Sequence, residues 1–302
     1  MTRRALSKRL AARVVNYLPR LKRERANRRY FKQPLMTVRV GSYELECPAQ
    51  HLLHNLGTKQ PYRDLCVGIA ARFIGEKYPS TLMIDVGANI GDTAAMISSH
   101  TTNPLLLVEG SPYFFDILQR NARQLPNVRE VIHVLVSDTG GNVTGGFHHW
   151  GGTALFVERS GGDQVVSSLT LAEIADPDTC FVKLDTDGHD FRIVCGSLDW
   201  FENSRAGLLV EDQILAPTDL EESNEMFARL SDIGYTGFIV WDDAGFHILS
   251  TRSVGALRDL NRYLWKQREN DAHHSISNYD VLCLHERDAD IFSKLVRWWA
   301  EH

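Results

Sequence analysis

The stretch TLMIDVGANIGD, residues 81–92, decides the fold. Its first half is a short apolar run closed by an acid, Asp85. Its second half places Gly87 and Gly91 around Asn89, and Asp92 opens a run with helical spacing. An apolar strand, a glycine turn and a helix start are the elements of a βα unit. The pattern recurs along the chain. LLLVEG (105–110) precedes a helix expected from Pro112, VIHVLVSD (131–138) is a third strand, CFVKLDTDG (180–188) leads into another helix, and GLLVED (207–212) leads into one from about Asp219. Strands alternating with helices imply a parallel sheet covered on both faces. From Tyr235 the character changes: TGFIVW, the turn DDAG, FHILS and the late YDVLCLH read as antiparallel strands, with a helix over about 253–268 and a closing amphipathic helix from Asp288. The simplest topology is an α/β, doubly wound, seven-stranded, mostly parallel, Rossmann-like sheet.

Upstream, MTVRVGSYELEC (36–47) alternates like a hairpin, and Leu65, Ile69 and Phe73 have the spacing of a helix within 61–77. Three parts are expected: a basic amphipathic arm over 1–35, a hairpin and helix over 36–80, and the main domain over 81–302. Of the 302 residues 43% are apolar and 24% charged, which excludes fibrous and low-complexity classes. The net charge of −5 is segregated, since residues 1–32 hold twelve Lys or Arg and one acid, Glu24. That segment is +11 and the remainder is −16. Leu6, Leu10, Val14, Leu18 and Leu21 recur among the basic residues, as in a helix lying on an anionic membrane surface. A solvated arm or a docking helix has the same pattern. Nucleic acid is a weaker partner, because no folded basic face accompanies the arm. No apolar run reaches a membrane span, and no signal peptide is evident, so a cytoplasmic protein is expected, with peripheral contact at the inner membrane surface as an option. Five cysteines without a C-x-x-C read as reduced, buried small residues.

In open α/β sheets ligands bind beyond the carboxyl ends of the strands, which directs attention to Asp85, Glu109, Asp138, Asp185 and Glu211. The turn after Asp85 lacks the G-x-G-x-x-G spacing of dinucleotide sites, and an acid stands where pyrophosphate would lie. S-adenosylmethionine suits this turn better: its carboxylate meets the helix start and its ammonium meets Asp85. Glu109 is placed to accept both ribose hydroxyls, and Asp138 to take the adenine amino group. His148 and His149 are adjacent on a strand and point apart, so zinc is improbable; His273 and His274, in a polar loop, read the same way. FHHWGGTALF (147–156) reads as a loop whose Trp150 either stacks on a sugar face or packs on the core.

The strings MIDVGANIGDT (83–93), VEGSPYFFDILQRNA (108–122), VSDTGGN (136–142) and FVKLDTDGHDFRIVCGS (181–197) resemble the FkbM family of S-adenosylmethionine-dependent methyltransferases. The resemblance covers roughly residues 80 to 250. It implies the class I methyltransferase fold and cofactor binding by Asp85, Gly87, Asn89, Gly91, Glu109 and Asp138, and no particular acceptor; since the family mostly methylates hydroxyl groups, the expected reaction is methyl transfer to a hydroxyl of a sugar, a glycan precursor or a similar metabolite. In family terms the segment from Lys183 to Asp190 lies beside the transferred methyl, so Asp185, His189 and Lys183 are the candidate catalytic groups. His189 has the pKa best suited to a general base. Asp185, Glu211 and Asp212 also look like the Mg²⁺ site of metal-dependent O-methyltransferases, in which the ion lowers the acceptor's pKa. Two other outcomes stay open: methylation of nucleic acid or protein, and a non-catalytic, cofactor-binding docking protein.

Overall fold

The computed structural model describes residues 32–56, 62–158, 164–270 and 276–302. The basic arm, apart from its last residues, and the His273–His274 pair lie outside them. In chain order the strands are β1 (Leu35–Val40), β2 (Tyr43–Pro48), β3 (Met83–Val86), β4 (Leu105–Glu109), β5 (Val128–His133), β6 (Leu135–Val136), β7 (Gly141–Trp150), β8 (Thr153–Glu158), β9 (Gln164–Leu169), β10 (Phe181–Leu184), β11 (Gly207–Asp212), β12 (Tyr235–Asp242), β13 (His247–Thr251) and β14 (Tyr279–His285). The helices that matter for packing are α1 (Leu65–Lys77), α2 (Asp92–Ser98), α3 (Pro112–Ala122), α4 (Asp190–Gly196), α5 (Pro217–Asp232), α6 (Val254–Glu269) and α7 (Ala289–Glu301).

Eight strands form the main sheet in the order β13-β12-β14-β11-β10-β3-β4-β5. The five from β11 to β5 run parallel, and β14, β12 and β13 are antiparallel. The sheet thus has eight strands and not the seven expected, with FHILS as β13 at its edge. Along each central strand, alternate residues feed the two layers of core. Ile84, Val182, Val210 and Val281 face α4, α5 and α6, with Ile193, Phe227 and Leu257. Met83, Phe181, Leu209 and Leu282 face α1, α2 and α7, with Ile69, Ala95 and Leu295. Trp298 and Trp299 are partly buried in the second layer, Trp299 lying 5.5 Å from Trp241. All five cysteines are free, four of them buried. Among the described residues no helix is long and apolar enough to cross a membrane.

Two expectations are corrected. VIHVLVSD is not one strand: β5 stays in the main sheet, and β6 pairs instead with β9 in a separate four-stranded sheet, β6-β9-β7-β8. FHHWGGTALF is not a loose loop but the turn and arms of the β7–β8 hairpin, in which Trp150 pairs with Thr153.

One register sets the centre of the sheet. Lys183 on β10 stands opposite Asp85 on β3, in the rows otherwise filled by Phe181 and Met83. Both are buried, and Nζ lies 3.3 Å from Asp85 Oδ1. Removing one partner from a buried pair leaves an uncompensated charge, whereas removing both is far milder. Lys183→Met should therefore cost about 3–5 kcal/mol in denaturant unfolding, and Asp85→Leu combined with it should recover most of the loss. A double variant as unstable as the single would show that the pair does not act as a unit.

Candidate functional site

The turn after β3 is shaped by a close approach between strands. Gly87 has φ +76°, and a Cβ there would lie 1.8 Å from the Asp185 carbonyl oxygen. Glycine is needed at this position so that the ends of β3 and β10 can meet, and not, as the motif alone suggests, to admit a ligand. Asn89 also lies in the left-handed region, at φ +50°. Its backbone N–H donates to Glu109 Oε2 at 2.8 Å, and its side-chain Nδ2 donates to the Gly152 carbonyl at 2.7 Å. The turn is thereby tied both to the end of β4 and to the tip of the β7–β8 hairpin. Gly91, at φ +92°, closes it and caps α2.

Glu109 ends β4 in a buried position. Its Oε1 accepts from the Ser111 N–H at 2.6 Å, while Ser111 caps α3. Two backbone donors fix the carboxylate and leave lone pairs on both oxygens. Glu109 lines a cleft with Gly87, Asn89 and Gly110; Val134, Leu135, Val136, Phe147 and Phe156 give it an apolar wall, and Asp185, Thr186, Asp187 and His189 line it as well. The four-stranded sheet thus supplies part of that wall. Sequence reading missed this contribution, and the only trace of it was the apolar spacing of Ala154 and Phe156, with Phe147 opposite Phe156.

The other candidates fall in different places. Asp85 does not line the cleft: it is sealed beneath the turn, where Thr93 Oγ1 donates to its Oδ2 at 2.5 Å and Lys183 takes the other oxygen. Asp138 is exposed beyond β6, against Gly196, and lies outside the cleft lining. Lys183 bridges Asp85 and Asp185 Oδ2, at 3.4 Å from the latter, and donates to the Gly87 carbonyl at 3.3 Å. Burial alone would depress its pKa, but Asp85, Asp185 and Asp92 together hold it well above the usual value. Lys183 is therefore a fixed cation and not a base. His189 caps α4; its Nδ1 faces Arg192 at 2.9 Å and its Nε2 faces the Phe156 carbonyl at 3.2 Å. Arginine can only donate, so the lone pair on Nδ1 is taken and Nε2 carries the proton. No lone pair of His189 is left to act as a base. His148 and His149 are both buried in β7, and His149 Nε2 lies 2.8 Å from Ser111 Oγ.

Asp185, Glu211 and Asp212 do not converge on a metal. Adjacent residues of a strand point to opposite faces, so Asp212 turns into the layer beneath α5 and α6, where Ser223 Oγ donates to it at 2.8 Å. Glu211 keeps to the other side and accepts from Asn278 Nδ2 at 2.7 Å. Among the described residues no group of three His, Cys, Asp or Glu is arranged to hold a metal ion. The Mg²⁺ expectation does not fit this geometry.

No family model matches the chain, and no curated protein does. Several solved structures are similar to it. The methyltransferase FkbM from Methylobacillus flagellatus KT shares 16% identity over 49% of this chain and 37% of that one, at TM-score 0.38. The chain therefore spans little more than a third of that protein's length. The plantazolicin methyltransferase BamL, in complex with a triazolic desmethylPZN analog and SAH, shares 8% identity over 94% and 97% of the two chains, at 0.46. TYW2 of M. jannaschii, in complex with AdoMet, shares 10% identity over 83% and 85%, at 0.37. Likenesses of this strength assign no residue a role.

The strand ends carry more carboxylates than their surroundings can solvate. Burial pushes Glu109, Asp212 and Asp280 up to about 7, and Asp64 and Asp190 up to about 6. The unperturbed values are 4.5 for Glu and 3.8 for Asp. Between these limits the folded chain binds more protons than the unfolded one, so stability falls as pH rises through the window. Ligand-free protein should melt at a higher temperature at pH 5 than at pH 8 in scanning calorimetry. The reverse order would mean that these carboxylates are ionised at little cost.

Proposed function

We propose that the chain is an S-adenosylmethionine-dependent methyltransferase that methylates a hydroxyl of a sugar, a glycan precursor or a similar small metabolite. The observation that carries this reading is the Glu109 carboxylate, fixed by the Asn89 and Ser111 N–H groups at a glycine-lined cleft with an apolar wall. A carboxylate so held suits a ribose diol, and the wall of Val134, Leu135, Val136 and Phe156 suits a flat purine. When bound, S-adenosylmethionine supplies a methyl already activated by its sulfonium. The chain then has to align the acceptor and take its proton.

Asp185 is the residue for that second task. It lines the cleft, its side chain is half exposed, and Lys183 holds one of its oxygens at 3.4 Å. Lys183 acts as a positioning residue, because its cation orients Asp185 and is itself anchored by Asp85. His189, with both ring nitrogens engaged, shapes the wall. Asn89 and Gly87 hold the turn, and Gly91 opens the helix behind it.

Two measurements test the reading. In titration calorimetry with S-adenosylhomocysteine, Glu109→Ala should weaken binding by about 1.5–3 kcal/mol, the worth of hydrogen bonds to a charged group. An affinity unchanged within about twofold would remove the cofactor assignment. With labelled S-adenosylmethionine and a small-molecule extract, Asp185→Asn should lower transfer roughly 10²–10⁴-fold, the usual worth of a positioned base, while cofactor affinity holds. Binding without transfer by the unaltered chain would leave a docking protein.

A further inference from the structure

The Glu109 carboxylate is fixed by two backbone N–H groups, and both belong to residues whose side chains are held by the β7–β8 hairpin. Asn89 donates from its N–H to Oε2 at 2.8 Å, and its Nδ2 donates to the Gly152 carbonyl at the hairpin tip at 2.7 Å. Ser111 donates from its N–H to Oε1 at 2.6 Å, and its Oγ lies 2.8 Å from His149 Nε2 in β7. The hairpin thus grips the acid from both sides, through one residue each. Between them Gly110 passes beneath the same four-stranded sheet: a Cβ there would lie 2.5 Å from Leu135 Cδ2 and 3.4 Å from the Phe147 ring. The tip, Gly151 to Thr153, also lines a second, polar cavity that adjoins the cleft and includes His51, Asp92 and Lys183. The methyl-transfer reading gives that cavity to the amino-acid end of the cofactor.

Packing alone does not account for a histidine at position 149. Its ring is buried among Tyr113 and Phe114 of α3 and Phe147 of its own strand, at ring-centre distances of 5.8, 5.7 and 6.2 Å. An apolar ring would satisfy those contacts, whereas an imidazole must be desolvated there and needs a polar partner. Ser111 Oγ is such a partner. Burial, with His148 beside it, lowers the His149 pKa to about 4, so the ring is neutral and offers one donor and one acceptor. Ser111 Oγ also accepts from the Phe114 N–H as the cap of α3, but at 3.5 Å. A contact that long is weak, which leaves His149 as the closer anchor of the serine. The anchored serine keeps its own N–H aimed at Glu109.

We propose that His149 is a positioning residue for the cofactor: through Ser111 it sets the direction in which Glu109 presents its remaining lone pairs to the ribose diol. The proposal rests on the methyl-transfer reading and adds to it a residue from outside the turn after β3. His149 lies outside the cleft lining, so it acts through Glu109 and not by contact with a ligand. The β7–β8 hairpin then has a task beyond forming a wall. It holds both donors of the ribose acid, Asn89 through Gly152 and Ser111 through His149.

Calorimetric titration of the full chain and its variants with S-adenosylhomocysteine tests this, at a temperature where all of them are folded. His149→Phe keeps a ring and removes the polar contact, and it should weaken binding about three- to tenfold, the worth of a neutral hydrogen bond. His149→Gln, whose amide can meet Ser111 in either sense, should stay within about twofold of the unaltered chain. Ser111→Ala removes the other side of the contact and leaves the backbone N–H in place. It should give the same loss as His149→Phe, and the two together should lose no more than either alone. In a Glu109→Ala background His149→Phe should cost nothing further, because the group through which it acts is gone. Equal losses in the Phe and Gln variants, or a loss that persists without Glu109, would make His149 a packing residue and overturn the proposal. Unaltered affinity in both His149→Phe and Ser111→Ala would overturn it as well, with the methyl-transfer reading intact. Should the unaltered chain fail to bind S-adenosylhomocysteine, that reading falls first and takes the proposal with it.

Discussion

The ion pair between Lys183 and Asp85 is the constraint on which the rest of the site depends. Both groups sit in the row of the sheet that faces α1 and α2, one step beyond Phe181 and Met83, where the pattern calls for apolar side chains. Putting two charges there costs several kcal/mol each in desolvation, and their mutual attraction returns this only if every remaining valence is met. Here Thr93 satisfies one oxygen of Asp85, and the Gly87 carbonyl and Asp185 take the rest of the ammonium. The pair can form only if β3 and β10 run in register to their last residues. That register in turn presses the Asp185 carbonyl against Gly87 and leaves no room for a side chain. The shape of the turn, the orientation of Asp185 and the glycine requirement are thus consequences of one buried contact.

The two-residue period of the strands explains how acids that are neighbours in sequence come to do different work. Asp185 follows Lys183 at i+2 and stays on its side of the sheet, which is why the ammonium reaches it. Glu211 stands in the row of Leu209, and Asp212 in the row of Val210. The latter is therefore carried into the opposite layer, where Ser223 donates to it and Asn261 donates in turn to Ser223 at 2.8 Å. A carboxylate that ends a strand belongs to the site only if its face does. This polar knot joins β11 to α5 and α6, and its partners make it a structural element.

Much of the frame was legible because the sequence is locally consistent. Apolar runs ending in acids gave β3, β4, β10 and β11, and the helical stretches after them gave the starts of α2 at Asp92 and α3 at Pro112. What could not be read depended on distant partners. The run from Val131 to Asp138 is largely apolar, and nothing local reveals that Val134 separates a strand of one sheet from a strand of another. FHHWGGTALF joins glycines and histidines and reads as a loop, yet its two halves pair with each other as parts of β7 and β8. The same limit applies to Asp85, whose type and place suggested a ligand contact until Lys183, almost a hundred residues later, proved to occupy it. His51 gave no signal at all, since a lone histidine between two short elements acquires meaning only from the cavity it lines.

The hairpin tip brings these threads together. Asn89 Nδ2 binds the Gly152 carbonyl, the Leu52 N–H donates to the Gly151 carbonyl at 3.0 Å, and a Cβ at Gly152 would come within 2.8 Å of the His51 ring. The tip therefore holds the turn after β3 on one side and the segment carrying His51 on the other. Phe147 and Phe156 in its arms face the cleft, while Gly151, Gly152 and Thr153 line the second cavity. Short polar contacts fasten the tip to the segments on both sides. One element thus walls both cavities, and whatever shifts it must alter both at once.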